Sequence, residues 1–414
     1  MTYDFDPVDI SSAALWGQPM RERDEAFAIL RTRSNLTFHR SVEVGSAPGS
    51  RGFWAVTRHA DIMYVSRRPG EFCSGEGIGY SDIPKELNEP FGSFIMTDAP
   101  RHTHLRHLVS RAFTPKQVAK IEEQILNQAC VIVADALEMG AGDAVANLSR
   151  RLPLWTISEM LGVPAERRDE LQEAANMMVS ASDPRTEASG VDSFHALFSA
   201  AITLSTLGSE LAAERRDVPK DDLLTGLVQA EIEGARLTDQ EIGSFVVLLA
   251  VAGNDTSRNT ISQAVLAFAD NPDQWDLLRS DPERWLPSAV EEILRWSTPV
   301  MTMRRTATAD TTVGDQAIAK GDYLVMFYPS GNRDESVFTD PWKFDITRTP
   351  NPHIAFGGGG PHYCLGANLA RTQLRSVFAQ LAKSVTSFQA GEPERLHSAF
   401  INGIISLDYS FERG

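Results

Sequence analysis

The stretch His353–Gly366, HIAFGGGGPHYCLG, carries the densest chemical signal in the sequence. It places Cys364 after four consecutive glycines and directly before a segment with helical periodicity, which predicts a helix from about Leu365 to Leu381. Unpaired backbone N–H groups at a helix start favour a thiolate over a thiol, and a thiolate is either a nucleophile or a soft metal ligand. The glycines would let the backbone pass close to a flat or bulky group.

Several kinds of site contain a glycine-rich loop or a lone cysteine, and most of them do not match this stretch. A phosphate-binding G-x-G-x-x-G loop fails because His362 stands where the third glycine belongs after Gly357 and Gly359. A structural zinc site fails because the chain has no cysteine pair at C-x-x-C spacing. A cysteine hydrolase remains possible, since several histidines could act as a base, but no local hydrolase signature is present. A buried, inert cysteine is less favoured, given five glycines and two histidines around this one residue.

The composition is that of an ordinary globular protein: 414 residues, of which 42% are hydrophobic and 23% charged. Asp and Glu outnumber Lys and Arg, 55 to 39, and the resulting charge of −16 disfavours nucleic acid and anionic membranes as partners. Three cysteines cannot form a disulfide framework, and the N-terminus lacks the basic-then-apolar order of a signal peptide. The longest apolar run, Phe245–Ala252, is far shorter than the roughly 20 residues of a membrane helix. We therefore expect a cytoplasmic protein without a nucleic-acid partner and without membrane insertion.

Periodicity along the chain predicts a mainly α fold with a small β portion, in a single domain over residues 1–414. The portion to about residue 92 mixes short strand-like runs with Gly, Ser and Pro loops, so we expect it to be β-rich and the remainder to be mainly helical. Pro287 is expected to open a helix, and strand-like stretches follow at 305–312 and 322–327.

The clearest helix signal contains residues that helices avoid. Thr238 and Glu241 form a Thr-x-x-Glu capping box, which predicts a helix that runs to about Ala269. The sequence AGNDT, Ala252–Thr256, lies in its middle, although Gly, Asn, Asp and Thr all form helices poorly. A broken local rule inside an apolar helix often marks a functional site. A bent helix with a back-bonded threonine is an equally open alternative for these residues alone.

Six short motifs occur along the chain in the order found in one enzyme family. They are His102–Arg106, Ala252–Thr256, the pair Glu292 and Arg295, Arg305 with Asp310, Phe344–Arg348 and the Cys364 loop. In these motifs and their order the chain resembles a cytochrome P450, a haem-thiolate monooxygenase, of the soluble bacterial type. One spacing departs from the usual pattern, because Phe356 stands eight residues before Cys364 instead of seven. The longer loop is familiar in a bacterial subset that includes enzymes resembling sterol and methyl-branched-lipid hydroxylases.

The resemblance implies a cytochrome P450 fold in which haem b lies between the long central helix and the helix that follows the cysteine loop. Cys364 would be the axial ligand of the haem iron, with Phe356 and Gly366 beside the haem. The two haem propionates are anions that need buried cations or donors. The positions that match the family's propionate-binding residues are His102, Arg106, Arg305 and His362.

The resemblance also assigns the remaining motifs. Thr256 would hold dioxygen through its hydroxyl, and Asp255 would relay protons to it. Glu292 and Arg295, with Arg348, would form a buried ion network that fixes the segment before the cysteine loop.

The implied function is a haem monooxygenase that inserts one oxygen atom of O2 into an unactivated C–H bond of a hydrophobic small molecule. The substrate class would be a terpenoid, a sterol or a branched-chain lipid. Electrons would come from NAD(P)H through a ferredoxin reductase and a ferredoxin. We expect the ferredoxin to dock on a basic patch, with Arg111, Arg371 and Arg375 as candidates.

The resemblance places a substrate pocket at largely apolar positions, most of which could equally belong to the core. These positions are Phe94, Met96, Met178, Val247, Val251, Ala252, Val300, Met303 and Ile401. The alternative function is a protein that holds haem or a lipid without turnover, and the intact Asp255-Thr256 pair argues against it.

Overall fold

The computed structural model of the protein describes residues 3–41, 52–80, 94–112, 115–181, 183, 185–186, 190–232 and 234–413. Its helices are α1 (Ala13–Trp16), α2 (Met20–Arg31), α3 (His59–Ser66), α4 (Arg101–Ala112), α5 (Pro115–Met139), α6 (Arg151–Leu161), α7 (Arg168–Ser180), α8 (Ser193–Asp217), α9 (Leu223–Gln229), α10 (Asp239–Asp270), α11 (Pro272–Ser280), α12 (Pro282–Ser297), α13 (Tyr328–Gly331) and α14 (Ala367–Ser384). Its strands are β1 (Thr37–His39), β2 (Phe53–Val56), β3 (Phe72–Cys73), β4 (Ala141–Asp143), β5 (Glu231–Ile232), β6 (Ala235–Arg236), β7 (Thr302–Ala307), β8 (Thr311–Val313), β9 (Gln316–Ile318), β10 (Tyr323–Phe327), β11 (Val385–Ala390), β12 (Glu394–Arg395), β13 (Ile404–Ser406) and β14 (Asp408–Arg413).

The long helix α10 is the element around which other helices pack. The predicted capping box starts it: the Glu241 N–H donates to Thr238 Oγ1 (3.2 Å), and the Thr238 N–H donates to Glu241 Oε2 (2.9 Å). Helices α6, α7, α8, α12 and α14 all contact α10. As a result, most of its side chains are buried and it forms part of the largest apolar core cluster.

A five-stranded sheet in the order β1-β2-β10-β7-β3 is covered on both faces. Strands β2 and β10 run parallel, and successive residues along each strand alternate between two separate apolar clusters. Trp54 and Leu324 pack into one cluster, whereas Phe53 and Val325 pack into the other. This two-residue period explains why the buried run of β2, FWAV, is apolar throughout instead of alternating with polar residues.

The expected β-rich portion to about residue 92 is more helical than the sequence suggested. Among its described residues, more lie in α1, α2 and α3 than in β1, β2 and β3. In α2 the buried positions Arg23, Phe27, Leu30 and Arg31 recur at helical spacing. The sheet of this portion is completed by β7 and β10, which come from the part of the chain that was expected to be mainly helical.

The helix expected to open at Pro287 begins five residues earlier. Asp281 caps it, because its Oδ1 accepts the N–H of Arg284 (3.2 Å), and Pro282 occupies the first turn, where its missing N–H costs nothing. Pro287 is accommodated inside the helix.

One helix in the described part of the chain, α8, has the length and apolar composition of a membrane span. This is weak evidence, because a core helix of a soluble protein passes the same test. Helix α8 packs closely on α10: a Cβ added at Gly208 would lie 2.8 Å from Val246 Cβ.

The segment between α13 and the cysteine loop has little regular structure, and buried ion pairs hold it in place. Glu292 and Arg295 on α12 are both 0% exposed, and Arg295 Nε and Nη2 each donate to a Glu292 oxygen at 2.7 Å. Arg348 Nε is a third donor, 3.2 Å from Glu292 Oε2. The other N–H groups of Arg295 and Arg348 donate to backbone carbonyls within residues 332–343. The structure therefore brings together the three residues that the sequence predicts as one network.

We expect Glu292→Gln to lower the free energy of unfolding by about 3–5 kcal/mol, because it leaves two buried guanidinium groups without their carboxylate. Urea titrations of the wild type and the variant measure this loss. Glu283→Gln, in the exposed first turn of the same helix, is the control and should cost less than about 0.5 kcal/mol. Equal unfolding midpoints for the two variants would show that the network contributes little.

Candidate functional site

Backbone hydrogen bonds close the cysteine loop. The Cys364 N–H donates to Phe356 O (3.1 Å), and the Gly357 N–H donates to Ile354 O (2.9 Å). The residues from Phe356 to Cys364 therefore form a closed loop, with a second backbone hydrogen bond at its start. The guanidinium of Arg371 covers the Phe356 ring at 4.6 Å from its centroid.

Two of the four glycines allow helix α3 to pack directly against the cysteine loop. A Cβ at Gly360, where φ is +80°, would lie 2.3 Å from Ser66 O at the end of α3, and one at Gly358 would lie 2.6 Å from Ser66 Oγ. Gly357 has a φ of +99°, and no described atom lies within 4 Å of the position of a Cβ there. The glycines therefore serve both backbone conformation and close packing on α3.

The thiol of Cys364 lies two residues before Gly366, the N-cap of α14. Burial raises its pKa, although the Gly366 N–H and the charges of Arg106 and Arg371 act to lower it. The prediction of a lowered pKa at this helix start is therefore wrong for the protein alone, because burial outweighs the helix terminus. Protein atoms crowd the thiol without covering it, so the residue keeps a large exposed fraction and its surface is reachable.

Four groups predicted to bind anions lie together beside the cysteine loop. The rings of His102 and His362 are 4.2 Å apart between centroids, and Arg106 Nη2 donates to Tyr363 O at 2.7 Å. Burial, together with the charges of Arg305, His102 and Arg106, lowers the pKa of His362 to about 3. Burial also lowers the pKa of Arg305. The charges of Arg106 and Arg305, next to imidazoles whose pKa values are lowered, form a site for an anion.

Each of the two histidines has one ring nitrogen that no described residue contacts through a hydrogen bond. His102 Nε2 and His362 Nδ1 are buried and have no hydrogen-bond partner among the described residues. The other ring nitrogen of His362 lies 3.1 Å from Ser74 Oγ. Buried polar atoms are rarely left unpaired, so this corner is suited to a ligand with carboxylate oxygens.

The AGNDT segment continues α10 without a break. Gly253 does not open a groove as expected; it admits Ile157 of α6, whose Cδ1 would lie 2.4 Å from an added Cβ. Thr256 Oγ1 donates back to Ala252 O at 2.5 Å, which is the back-bonding that the sequence left open. Ala252 is exposed although it lies in the middle of the helix.

Asp255 is completely buried with an incomplete set of partners. Neither carboxylate oxygen accepts a hydrogen bond from a described residue, although Arg258 Nη2 lies 2.9 Å from Oδ1 as an ion pair. Burial raises the pKa of Asp255 to about 6, against the lowering effect of Arg258. Arg258 Nη1 in turn donates to Asn176 Oδ1 on α7 at 3.0 Å. The carboxyl group can therefore hold or release a proton near neutral pH.

Seven of the nine residues predicted to line a pocket lie in or against three apolar clusters. Val251, Val300 and Ile401 meet in one cluster with Val179, Leu396 and Phe400. Met178, Phe94 and Val247 pack in or against the largest core cluster, and Val247 is only 3% exposed. Met303 packs beside the sheet, and Met96 lies half-buried after Phe94.

Sequence reasoning missed Glu291, which anchors the cysteine loop from α12. Its oxygens accept from Arg371 Nε (2.7 Å) and lie 2.9 Å from His353 Nε2. Burial alone would raise the pKa of Glu291, but His353 and Arg371 lower it to about 2. The only signal in the sequence is that Glu291 precedes Glu292, and Ser74 gave no signal at all.

Comparison with known proteins now identifies the family. A family model described as Cytochrome P450 matches residues 209–386. A methyl-branched lipid omega-hydroxylase of Mycobacterium tuberculosis is 42% identical over 404 residues, which span 97% of this chain and 94% of the relative. The chain belongs to the cytochrome P450 family.

Two further cytochromes P450 are similar over most of the chain. A steroid C26-monooxygenase of Mycolicibacterium smegmatis is 43% identical over 363 residues, 86% of this chain and 83% of the relative. A solved Mycobacterium marinum cytochrome P450 in complex with pseudoionone is 45% identical and superimposes with a TM-score of 0.94, covering 99% of this chain and 100% of that chain. The protein is therefore a cytochrome P450 monooxygenase, and the predicted mainly α fold with a small β portion is confirmed.

As a cytochrome P450 the protein uses haem and O2, and the residues present fit this cofactor. A cysteine thiol suits the iron, and the unpaired atoms of His102 and His362 beside two arginines suit carboxylates. The non-catalytic alternative is not favoured, since the relatives are a hydroxylase and a monooxygenase. The hydrolase alternative is not favoured either, because the same relatives are named as a hydroxylase and a monooxygenase.

We expect the contribution of Asp255 to the stability of the fold to fall as the pH rises from about 4 to about 6, where the unfolded chain has ionised Asp255 but the folded protein keeps it protonated. Asp255→Asn removes this titrating group. The free energy of unfolding of the variant minus that of the wild type should therefore rise by about 3 kcal/mol between pH 4 and pH 6 and stay constant above pH 6. Urea titrations at pH 4.5, 5.5, 6.5 and 7.5 measure the difference. Asp276→Asn, at a side chain that is 73% exposed, is the control. A constant difference at all pH values for Asp255→Asn would contradict the raised pKa.

Proposed function

We propose that this cytochrome P450 hydroxylates the end of a methyl-branched alkyl chain on a hydrophobic molecule, and that Cys364 would hold the haem iron. The observation that carries the proposal is the closed loop of Cys364 next to a cluster of Arg106, Arg305 and two histidines, in which His102 Nε2 and His362 Nδ1 have no partner among the described residues. Helix α10, which carries Thr256, contacts α14, the helix that follows this loop. The haem would lie between the two.

The chain's own residues would bind and orient the cofactor. Bound haem supplies the activation of O2, and a thiolate ligand favours O–O cleavage. The Gly366 N–H and the charges of Arg106 and Arg371 stabilise the thiolate form of Cys364, against its burial. Arg106 and Arg305 would neutralise the propionates, His102 and His362 would donate hydrogen bonds to them, and Phe356 would pack beside the ring. The cost of burying these positive groups is then offset by charges of opposite sign.

Protons would reach the reacting oxygen along α10. Asp255, with a pKa of about 6, is partly protonated near neutral pH and is the proton source. The hydroxyl of Thr256 donates its hydrogen to Ala252 O. Its oxygen is therefore free to accept a hydrogen bond from a proton donor on the active-site side. Arg258 stabilises Asp255 once it has lost its proton.

The substrate class follows from the apolar cluster and from two relatives. Val251, Val300 and Ile401, with the exposed Ala252, would line the end of the pocket, and none of these side chains carries a charge. A pocket of this kind binds by apolar contact and does not fix a polar head group near the iron. The relatives act, by their names, at the omega position of a methyl-branched lipid and at C26 of a steroid. Both positions end a branched alkyl chain, so we assign terpenoids, sterol side chains and branched lipids as substrates.

The first test has two readouts on the purified holoprotein. The reduced protein with carbon monoxide should show the strongly red-shifted Soret band of a thiolate-ligated haem, and Cys364→His should lose that shift. With a ferredoxin and its reductase, a methyl-branched fatty acid should be hydroxylated at its terminal carbon. An unbranched acid of the same carbon number is the control and should be converted at least tenfold more slowly. If the red-shifted Soret band is present but hydroxylation occurs inside the chain, the proposed attack at the chain end is wrong and the role of Cys364 stands. A histidine-like Soret band would contradict the role of Cys364.

The proposed electron donor is a ferredoxin, supplied from NAD(P)H by a reductase, that docks beside the cysteine loop. Arg67 lies against this loop, with its Nε 2.9 Å from the position of a Cβ at Gly359, and Arg106 holds Tyr363 O. Of the predicted patch, Arg371 is paired with Glu291 and so contributes little net charge. Arg375 donates to Thr372 at 3.5 Å, and the side chain of Arg111 lies outside the described residues.

We expect Arg67→Glu to slow reduction by an acidic ferredoxin about tenfold at low salt, because charges at a docking rim mainly set the association rate. The effect should shrink as the salt concentration rises. Stopped-flow reduction under carbon monoxide measures the rate, and the Soret band checks that the haem site is intact. Arg40→Glu, at an exposed residue that stacks on Phe5, is the control and should leave the rate unchanged. Equal rates for the two variants would move the docking surface elsewhere.

A further inference from the structure

Glu291 lies on α12 and holds groups on both sides of the cysteine loop. Arg371 Nε donates to its Oε1 (2.7 Å) and Arg371 Nη2 to its Oε2 (2.9 Å), which makes a two-pronged ion pair with α14, the helix after the loop. The same Oε2 lies 2.9 Å from Nε2 of His353, at the start of the segment that leads into the loop. One carboxylate therefore ties the chain before Cys364 to the helix after it.

The loop itself fixes the tautomer of His353. Its Nδ1 accepts the N–H of Ala355 (3.2 Å), so the ring hydrogen is on Nε2 and is donated to Glu291. An imidazole that uses Nδ1 as an acceptor is neutral. Of the three side chains in this network, His353 therefore contributes a hydrogen bond, and Glu291 and Arg371 contribute the charges.

Arg371 brings its positive charge close to the cysteine. Its guanidinium lies over the ring of Phe356, 4.6 Å from the centroid, and Phe356 O accepts the N–H of Cys364 at 3.1 Å. Arg371 also forms a hydrogen bond with the side chain of Tyr363, the residue before Cys364. The electrostatics agree with this geometry, because burial raises the pKa of Cys364 and the charge of Arg371 is among those that act to lower it.

The carboxylate of Glu291 limits the influence of this guanidinium. Burial alone would raise the pKa of Glu291, but His353 and Arg371 lower it to about 2, so the group is ionised at neutral pH. The side chains of Arg371 and Glu291 are 23% and 30% exposed, and water therefore screens the pair only in part. An opposite charge at hydrogen-bond distance cancels most of the field that the guanidinium exerts on groups farther away.

The expected direction of the effect follows from the charge of a thiolate-ligated iron. A one-electron reduction makes such a site more negative, so a positive charge nearby favours the reduced form and a negative charge nearby disfavours it. Loss of Glu291 and loss of Arg371 should therefore act in opposite directions.

We propose that Glu291 is a positioning residue that sets the reduction potential of the haem iron through Arg371. Glu291 holds the guanidinium against Phe356 and neutralises its charge beside Cys364. This inference rests on the proposed role of Cys364 as the residue that holds the iron. It goes beyond that role, because it names the pair of side chains that controls how readily the site accepts its first electron.

A cycle of variants of the purified holoprotein tests the proposal, with the potential measured by redox titration against dyes at pH 8. Glu291→Gln keeps the size of the side chain but removes its charge, so the equilibrium constant for reduction should rise about threefold or more. Arg371→Gln should lower that constant by a similar factor. The variant with both changes should return to within about twofold of the wild type, because it lacks both charges.

A purely structural anchor would give a different pattern. Both single variants would then shift the potential in the same direction or not at all, and the double variant would be displaced at least as far as either. Any of these results would overturn the proposal. Glu283→Gln, in the exposed first turn of α12, is the control and should leave the potential unchanged.

The Soret band of the reduced carbon monoxide complex separates this inference from the proposed function. If the wild type lacks the red-shifted band, the role of Cys364 is wrong and the inference falls with it. If the band is present and the potentials do not move in opposite directions, the inference alone is wrong. Should Glu291→Gln lose the band, Arg371→Lys decides the test, since it keeps the charge: Arg371→Gln should lower the potential and Arg371→Lys should not.

Discussion

The buried carboxylate of Glu292 is the interaction on which the position of the cysteine loop depends. The arginines that it holds donate to carbonyls within residues 332–343, a stretch that neither a helix nor a sheet orders. At the start of this stretch, Asn332 Oδ1 accepts the N–H of Ile354 at 2.8 Å, and from there the loop closes between Phe356 O and the Cys364 N–H. These contacts lead from an ion pair on α12 to the backbone of Cys364. Because a buried ion pair stabilises only when its geometry is complete, the segment that carries the loop depends on Glu292, while Glu291 holds the loop itself through His353 and Arg371.

The protein deals with buried positive charge in two different ways. Around Glu292 the charges of the guanidinium groups meet a carboxylate of the chain itself. Around His362 and around Arg23 they do not, and unpaired buried nitrogen atoms remain at both places. A folded protein tolerates such places only where a ligand supplies the missing charge or where stability is given up for function. The first place has the family's cofactor to supply its anions.

The features that sequence reasoning predicted are those fixed by local chemistry. The capping box at Thr238, the ion pair at i,i+3 spacing on α12 and the position of Cys364 before a helix all depend on residues close together in the chain. The features that it missed depend on contacts between distant segments. The sequence does not show that Gly358 must admit Ser66, that Gly253 must admit Ile157, or that burial outweighs the helix terminus at the cysteine. The order of the motifs compensated for this, because it assigned residues to one site without a knowledge of their packing.

The middle of α10 shows how a helix can remain intact through residues that disfavour it. Thr256, Asn259 and Thr260 each donate a side-chain hydrogen to the carbonyl four residues earlier, so these polar groups add bonds to the helix instead of competing with it. Gly253 gains a packing contact with α6 in exchange for its conformational freedom. Asp255 alone is left with an ion pair and no hydrogen bond from a described residue. Asn254 Oδ1 is also buried without a partner among the described residues, so the incomplete pairing of Asn254 and Asp255 is the part that packing does not explain. For Asp255 it is the part that chemistry requires, because a fully paired carboxylate would stay ionised at neutral pH and would have no proton to deliver.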